Sequence, residues 1–165
     1  MTDDDAARAR LIAHVRDVQQ RWRRLVADVG DDRLEAPGAM GEWTFKDVAA
    51  HLTGWRRRTV LRLEAAGRGD PPPANPWPAD LGDSETDAIN AWMHERSKDR
   101  PSAELLIEAD RVYDDFIAVV DTLPADVLTD PNRFGWMEGV ALADGDFNGH
   151  LDEHEPDVRR WLAQG

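Results

Sequence analysis

The chain has 165 residues, 41% of them hydrophobic, no cysteine, and 33 acidic against 20 basic side chains, a formal net charge of −13. That composition can build the core of one domain, taken over residues 1–165. It excludes disulfides, thiolate nucleophiles and Cys-ligated zinc, and a general nucleic-acid binder, which needs a surplus of Lys and Arg.

Met1 to Asp5 are acidic, where a secretory leader would be basic and then apolar. No apolar run approaches the ~20 residues of a membrane span. The expectation is a cytoplasmic protein that meets small molecules rather than nucleic acid or a membrane. Residues 6–29 carry Leu11, Val15, Val18, Trp22, Leu25 and Val29 at spacings of three and four, the period of an amphipathic helix. Gly30 suits its end. Residues 31–43, with Pro37, Gly38 and Gly41, read as a connector. Thr44 and Asp47 then spell a capping box, and a second helix is predicted from Phe45 to Ala66 with Val48, Leu52, Trp55 and Thr59 on its inner face.

Five prolines between 71 and 78 forbid regular structure over 67–83, leaving a long crossover loop. A short third helix is predicted over Glu85–Ser97, with Ile89, Trp92 and Met93 inward. Pro101 suits the first turn of a fourth, which carries Leu105, Ala109, Val112, Tyr113, Phe116 and Val120 and ends before Pro124. Residues 124–146 form another turn-rich connector. A last helix is predicted from Phe147 to Leu162, with Leu151, His154, Val158 and Trp161 on one stripe. No segment alternates with period two. The fold class is all-α: a four-helix bundle with long crossover loops and a short extra helix.

His150 and His154 are four apart on the last helix, so they project from one face. His51 falls on the inner side of the second helix, between Val48 and Trp55. Neutral imidazole binds zinc, nickel, copper or iron, and facing helices of a bundle build metal sites from such residues. Three imidazoles leave coordination positions open, as catalytic sites do. A packed, hydrogen-bonded histidine is the other reading of each. His150 to His154 also spells H-x-x-E-H, the inverted zinc-protease pattern, but too little chain follows for that architecture, and by helical phase Glu153 projects away from the His150–His154 side, a poor place for a base. His14 and His94 read as packing or surface residues.

Gly41-Glu42-Trp43-Thr44-Phe45-Lys46-Asp47-Val48-Ala49-Ala50-His51-Leu52, followed by Trp55, resembles the signature of the DinB/YfiT-like superfamily. His150-Leu151-Asp152-Glu153-His154, with Val158 to Leu162 behind it, is similar to that family's last helix. The resemblance implies a four-helix bundle holding a divalent metal, zinc or nickel foremost, on His51, His150 and His154. It also implies a thiol-dependent transferase or isomerase of the mycothiol type, as in maleylpyruvate isomerase, in which a small-molecule thiol is the cofactor. In the isomerase branch one ligand of the last helix is acidic, whereas here both are histidines. Arg96 and Arg100 lie in the region of that branch's catalytic arginine without aligning to it. The competing expectations are a metal-independent hydrolase or self-resistance protein resembling the ClbS/DfsB group, and a non-enzymatic stress-related binding protein. The bundle relatives suggest a homodimer.

Trp22, Trp55, Trp92 and Trp161 fall one per predicted helix and read as core. Trp55, one turn past His51, is the candidate for contact with the cofactor, and Trp77 and Trp136 for a pocket rim or dimer contact. Asp47 and Asp146, each four residues before a candidate ligand, read as helix starts rather than as partners of the imidazoles. Arg21, Arg23 and Arg24 and the run Arg56-Arg57-Arg58 read as solvated, ion-paired faces, with an anionic substrate site as the alternative for such a cluster.

Overall fold

The computed structural model describes residues 1–165. Its helices are α1 (Asp3–Val29), α2 (Phe45–Arg68), α3 (Thr86–Ser97), α4 (Ser102–Thr122), α5 (Ala125–Thr129) and α6 (Gly149–Ala163). Helices α1, α2, α4 and α6 form the bundle, and α2 packs most extensively on α4 and then on α3. The periodic apolar residues read from the sequence make the core. Leu11, Val18, Leu25, Leu52, Leu63, Val112, Phe116 and Leu151 are all at most 2% exposed within one cluster. No helix is long and apolar enough to cross a membrane.

Caps set the helix starts. Thr2 and Asp5 form a capping box that begins α1 three residues earlier than periodicity indicates. The Thr44–Asp47 box begins α2 where the sequence places it. Thr44 N and Oγ1 both donate to Asp47 Oδ2 at 2.9 Å, and Asp47 N donates to Thr44 Oγ1 at 3.2 Å. Gly69, left-handed at φ 75°, ends the helix by donating to Ala65 and Ala66 carbonyls. Helix α6 starts two residues later than predicted, because Asp146 accepts the Asn148 N–H at 2.9 Å in a tight local turn.

The connector over 31–43 departs from the all-helical expectation. Pro37–Met40 (β1) pairs antiparallel with Trp43–Thr44 (β2), joining Pro37 to Thr44 and Met40 to Trp43. Strands this short carry no readable alternation. Helix α6 packs on β1, and Gly38 makes that approach close: a Cβ there would sit 3.1 Å from Trp161 Cδ1, at φ 107°. The connector over 124–146 likewise contains the single turn of α5, with Val127 and Leu128 buried in the core.

The crossover loop is irregular, as its prolines require, and it is anchored. Trp77 is buried with Ile89 and Met93 in a second small cluster, against which Trp55, Leu81 and Trp92 pack. Trp77 Nε1 donates to the Gly82 carbonyl at 2.8 Å, so the indole is satisfied as it buries. Gly54 lets α3 seat on α2, since a Cβ at that position would lie 2.7 Å from Met93 Sδ. The loop and α3 thus wall one side of α2, just above His51.

Candidate metal centre

The capping box fixes the first turn of α2, and His51 follows two turns on, 4% exposed, between core residues Val48 and Leu52. Its ring is steered from outside by the hairpin: Trp43 meets it edge-on at 5.5 Å and 65°. Trp43 also stacks on His94 at 5.2 Å and 7°. His94 Nε2 lies 3.3 Å from Asp47 Oδ1. Asp47 therefore caps α2 and pairs with His94, and it does not orient His51. The start of α6 is held from α1, where His14 Nε2 accepts the Phe147 N–H at 3.1 Å. His14 thereby fixes the segment that carries His150. Asp146 lies 3.6 Å from His14 and likewise serves the start of α6 rather than His150.

These supports bring the three predicted histidines together. His51 Nε2 lies 2.8 Å from His150 Nε2 and 3.1 Å from His154 Nε2. The ligand atoms of all three fall within 4.8 Å of one another, a group that could hold a metal ion. His51 presents its edge to both partner rings at interplanar angles of 75° and 73°.

Burial keeps all three rings neutral. It pushes the His51 pKa down to about 4, with the charge of His154 adding to the effect and a polar contact from Asn90 opposing it. It pushes His150 down to about 3, helped by His51, His154 and the Arg56 guanidinium. His154 is lowered by burial too, with Glu153 and Asp157 pulling the other way. A metal ligand must be unprotonated, so these rings meet a cation at neutral pH with no proton to shed. His51 Nδ1 is buried with no hydrogen-bond partner, so whichever nitrogen of that ring holds its proton, one polar atom goes unserved. A cation on the three converging Nε2 lone pairs leaves only the outer N–H of His51 to be served. The residues present therefore fit a divalent ion.

The depressed pKa values have a measurable consequence for the metal-free protein. An unfolded imidazole takes up a proton near pH 6.5, and folded His51 only near about 4. Between those values the unfolded state binds more protons, so stability falls as pH falls. His51 alone contributes a loss on the order of 3 kcal/mol across this window. Urea unfolding of chelator-treated protein at pH 7 and pH 4.5 should show a larger drop for wild type than for His51→Ala. Equal drops would contradict the assignment of His51 as a buried neutral ring.

The centre opens into a cavity of about 500 Å³ between α2, α4 and the start of α6. Trp55 lines it, with its Nε1 donating to Asn90 Oδ1 at 2.9 Å and its ring edge-on to Trp77 at 5.2 Å. Trp136 lines the rim at 38% exposure, while Trp77 is buried rather than at the rim. Trp22 is core, stacked on Phe45. Glu153 borders the cavity as well, contrary to the expectation that it projects away, because three residues past His150 is only about 60° around the helix from it. Arg96 lies over Trp92 at 4.9 Å, and Arg100 pairs with Glu104 and Glu108, so neither lines the cavity. The arginines that do are Arg56, Arg58 and Arg62. The reading of residues 56–58 as one solvated face holds only for Arg57, which pairs with Asp115 at 2.6 Å. Tyr113, Asn90 and Arg62 also line the cavity without having been read as site residues. Tyr113 is the one tyrosine of the chain and sits on an apolar stripe, where its ring reads as core.

A family model described as the DinB superfamily matches residues 14–155, a span that includes all three histidines. No curated protein and no solved structure gives a significant match to the chain.

Proposed function

This chain belongs to the DinB superfamily, and we propose that it is a metal-dependent enzyme whose ligands are His51, His150 and His154 and whose second substrate is a low-molecular-weight thiol. The observation that carries the metal is the convergence of three neutral Nε2 atoms, 2.8 and 3.1 Å from the His51 nitrogen, in a pocket wall. A divalent ion bound there supplies Lewis acidity, which turns a thiol or a water beside it into a nucleophile at neutral pH. The chain has no cysteine, so a sulfur nucleophile has to come from a small molecule.

The chain's own groups account for the rest. Trp55, held in plane by Asn90, offers a flat apolar wall one turn from His51, suited to the carbon skeleton of a thiol or electrophile. Leu52, Phe116 and Phe147 keep the inner cavity apolar, which excludes water and strengthens every charge interaction inside. Two carboxylates border the cavity, Asp146 and Glu153. Asp146 already accepts the Asn148 N–H, so Glu153 is the one free to take the proton that a thiol gives up. Both candidate ligands on α6 are histidines, where the resemblance to the isomerase branch implies an acidic one, and this supports transfer of the thiol sulfur to an electrophile over isomerisation.

The test is a panel of thiols of the mycothiol and bacillithiol type, each paired with chloronitrobenzene and epoxide electrophiles, run on metal-loaded protein. Thioether formation that disappears in His150→Ala supports the reading. Full metal occupancy with no turnover by any thiol contradicts the transferase and leaves a metal-binding protein without catalysis.

A further inference from the structure

Half of the 18 guanidinium groups on this chain are neutralised: Arg10, Arg21, Arg23, Arg57, Arg58, Arg68, Arg100, Arg159 and Arg160 each reach a carboxylate. Arg8 donates to the Val120 and Leu123 carbonyls instead. Of those left without an ion pair or hydrogen bond, Arg16, Arg24, Arg96, Arg111 and Arg133 are exposed, where water serves them. Arg56 and Arg62 are not. Both are half-buried on α2, and both line the cavity of the three histidines. A chain with 33 acidic residues has no shortage of partners, yet none reaches these two. An unpaired cation withdrawn from water is costly, so its persistence points to an anion supplied from outside.

Arg56 is the inner of the two. Its guanidinium lies flat over the Tyr113 ring at 4.0 Å. That contact satisfies one face by cation–π attraction and leaves the N–H edge open. Burial pushes its pKa below the ordinary arginine value, with the nearby Tyr113 opposing the shift. Its charge is close enough to act on His150. Tyr113 is 1% exposed, and its hydroxyl is buried with no hydrogen-bond partner. A guanidinium fork and an unserved hydroxyl therefore stand together on the wall beside the histidines. Arg62 stands farther out, 6.0 Å from the Trp136 ring, where the cavity meets a second of about 420 Å³ that Arg62 and Trp136 also line.

We propose that Arg56 and Tyr113 form a carboxylate-binding subsite, so that the cavity takes an organic acid whose carboxylate is held by Arg56 and whose far end faces the three histidines. The planar fork of arginine matches a carboxylate with two parallel hydrogen bonds, and the tyrosine hydroxyl donates a third. The surrounding Leu52, Phe116 and Phe147 suit an apolar or aromatic skeleton. Arg62 draws the anion in at the mouth. This deepens the proposed function by giving its electrophile a chemical class, and it is tested apart from the metal.

The probes are benzoate and its neutral analogue benzamide, titrated calorimetrically into the protein as purified, with metal content measured on the same samples. Benzoate should bind wild type at least tenfold more tightly than benzamide. That preference should vanish in Arg56→Met, shrink severalfold in Tyr113→Phe, and persist in Arg57→Met, whose partner is Asp115. Equal affinity of the two probes for wild type, or a preference that survives in Arg56→Met at unchanged metal content, overturns the subsite. The wild-type comparison needs no variant, so misfolding of Arg56→Met does not blunt it. Missing metal would count against the enzyme reading alone.

Discussion

Wild-type protein given zinc at a thousandfold excess over its dissociation constant should gain about 4 kcal/mol of stability, a rise in Tm of roughly 8–16 °C for a domain of this size. His51→Ala should show no zinc-dependent rise. Both short contacts in the cluster run through His51 Nε2, so its removal leaves only the i, i+4 pair of α6 in a site built from two helices. Without metal, the same substitution should cost little. It deletes a ring with an unserved buried nitrogen, so the lost packing is partly offset by the polar strain that goes with it. Differential scanning fluorimetry of both proteins, with zinc and with chelator, measures the four midpoints. A zinc-dependent rise in His51→Ala equal to that of wild type would contradict the assignment.

The second large effect is expected far from the cavity mouth. Trp22→Ala should destabilise the protein by about 3–5 kcal/mol, the usual range for removing a fully buried tryptophan, with a fall in Tm on the order of 10 °C. Trp22 is 2% exposed on α1 and stacks on Phe45 at 5.3 Å and 16°. Phe45 is the first residue of α2, so this contact ties α1 to the turn that sets the phase of His51. The metal affinity of Trp22→Ala should therefore fall along with its stability. Urea denaturation gives the first quantity and zinc titration the second. A denaturation midpoint within experimental error of wild type would contradict the packing role.

What the sequence revealed depended on how local the cause was. Periodicity located α1, α2 and α4 because each buries one stripe in a common core, and Thr44–Asp47 marked the start of α2 because a capping box is complete within four residues. The β1–β2 hairpin was invisible, since its pairing spans only eight residues and its close packing on Trp161 depends on Gly38, whose reason lies on α6. The histidines divided in the same way. Helical spacing alone puts His150 and His154 on one face. That His51 comes within 2.8 Å of His150 follows from how α2 and α6 lie together in the bundle, which no spacing within either helix encodes.

The arginine run shows the opposite error. Arg56, Arg57 and Arg58 look like one charged patch in a linear sequence, but successive residues on a helix point about 100° apart and cannot share a face. One reaches Asp115, one reaches Asp83, and Arg56 is left over Tyr113 in the cavity wall. The ordering of these three was calculable from the helix, whereas the position of Tyr113 on α4 was not. The zero cysteine count now has a positive meaning too: a zinc-type site in this chain must be built from imidazole or carboxylate, and the bundle assembles three imidazoles.

The central claim is that these three rings hold a divalent ion. The most direct measurement is elemental analysis of untagged protein purified without chelator, by inductively coupled plasma mass spectrometry. The account predicts about one divalent ion per chain, lost in His51→Ala and in His150→Ala. Wild-type protein that carries no metal, and takes none up from excess zinc, nickel, iron or manganese, would contradict it.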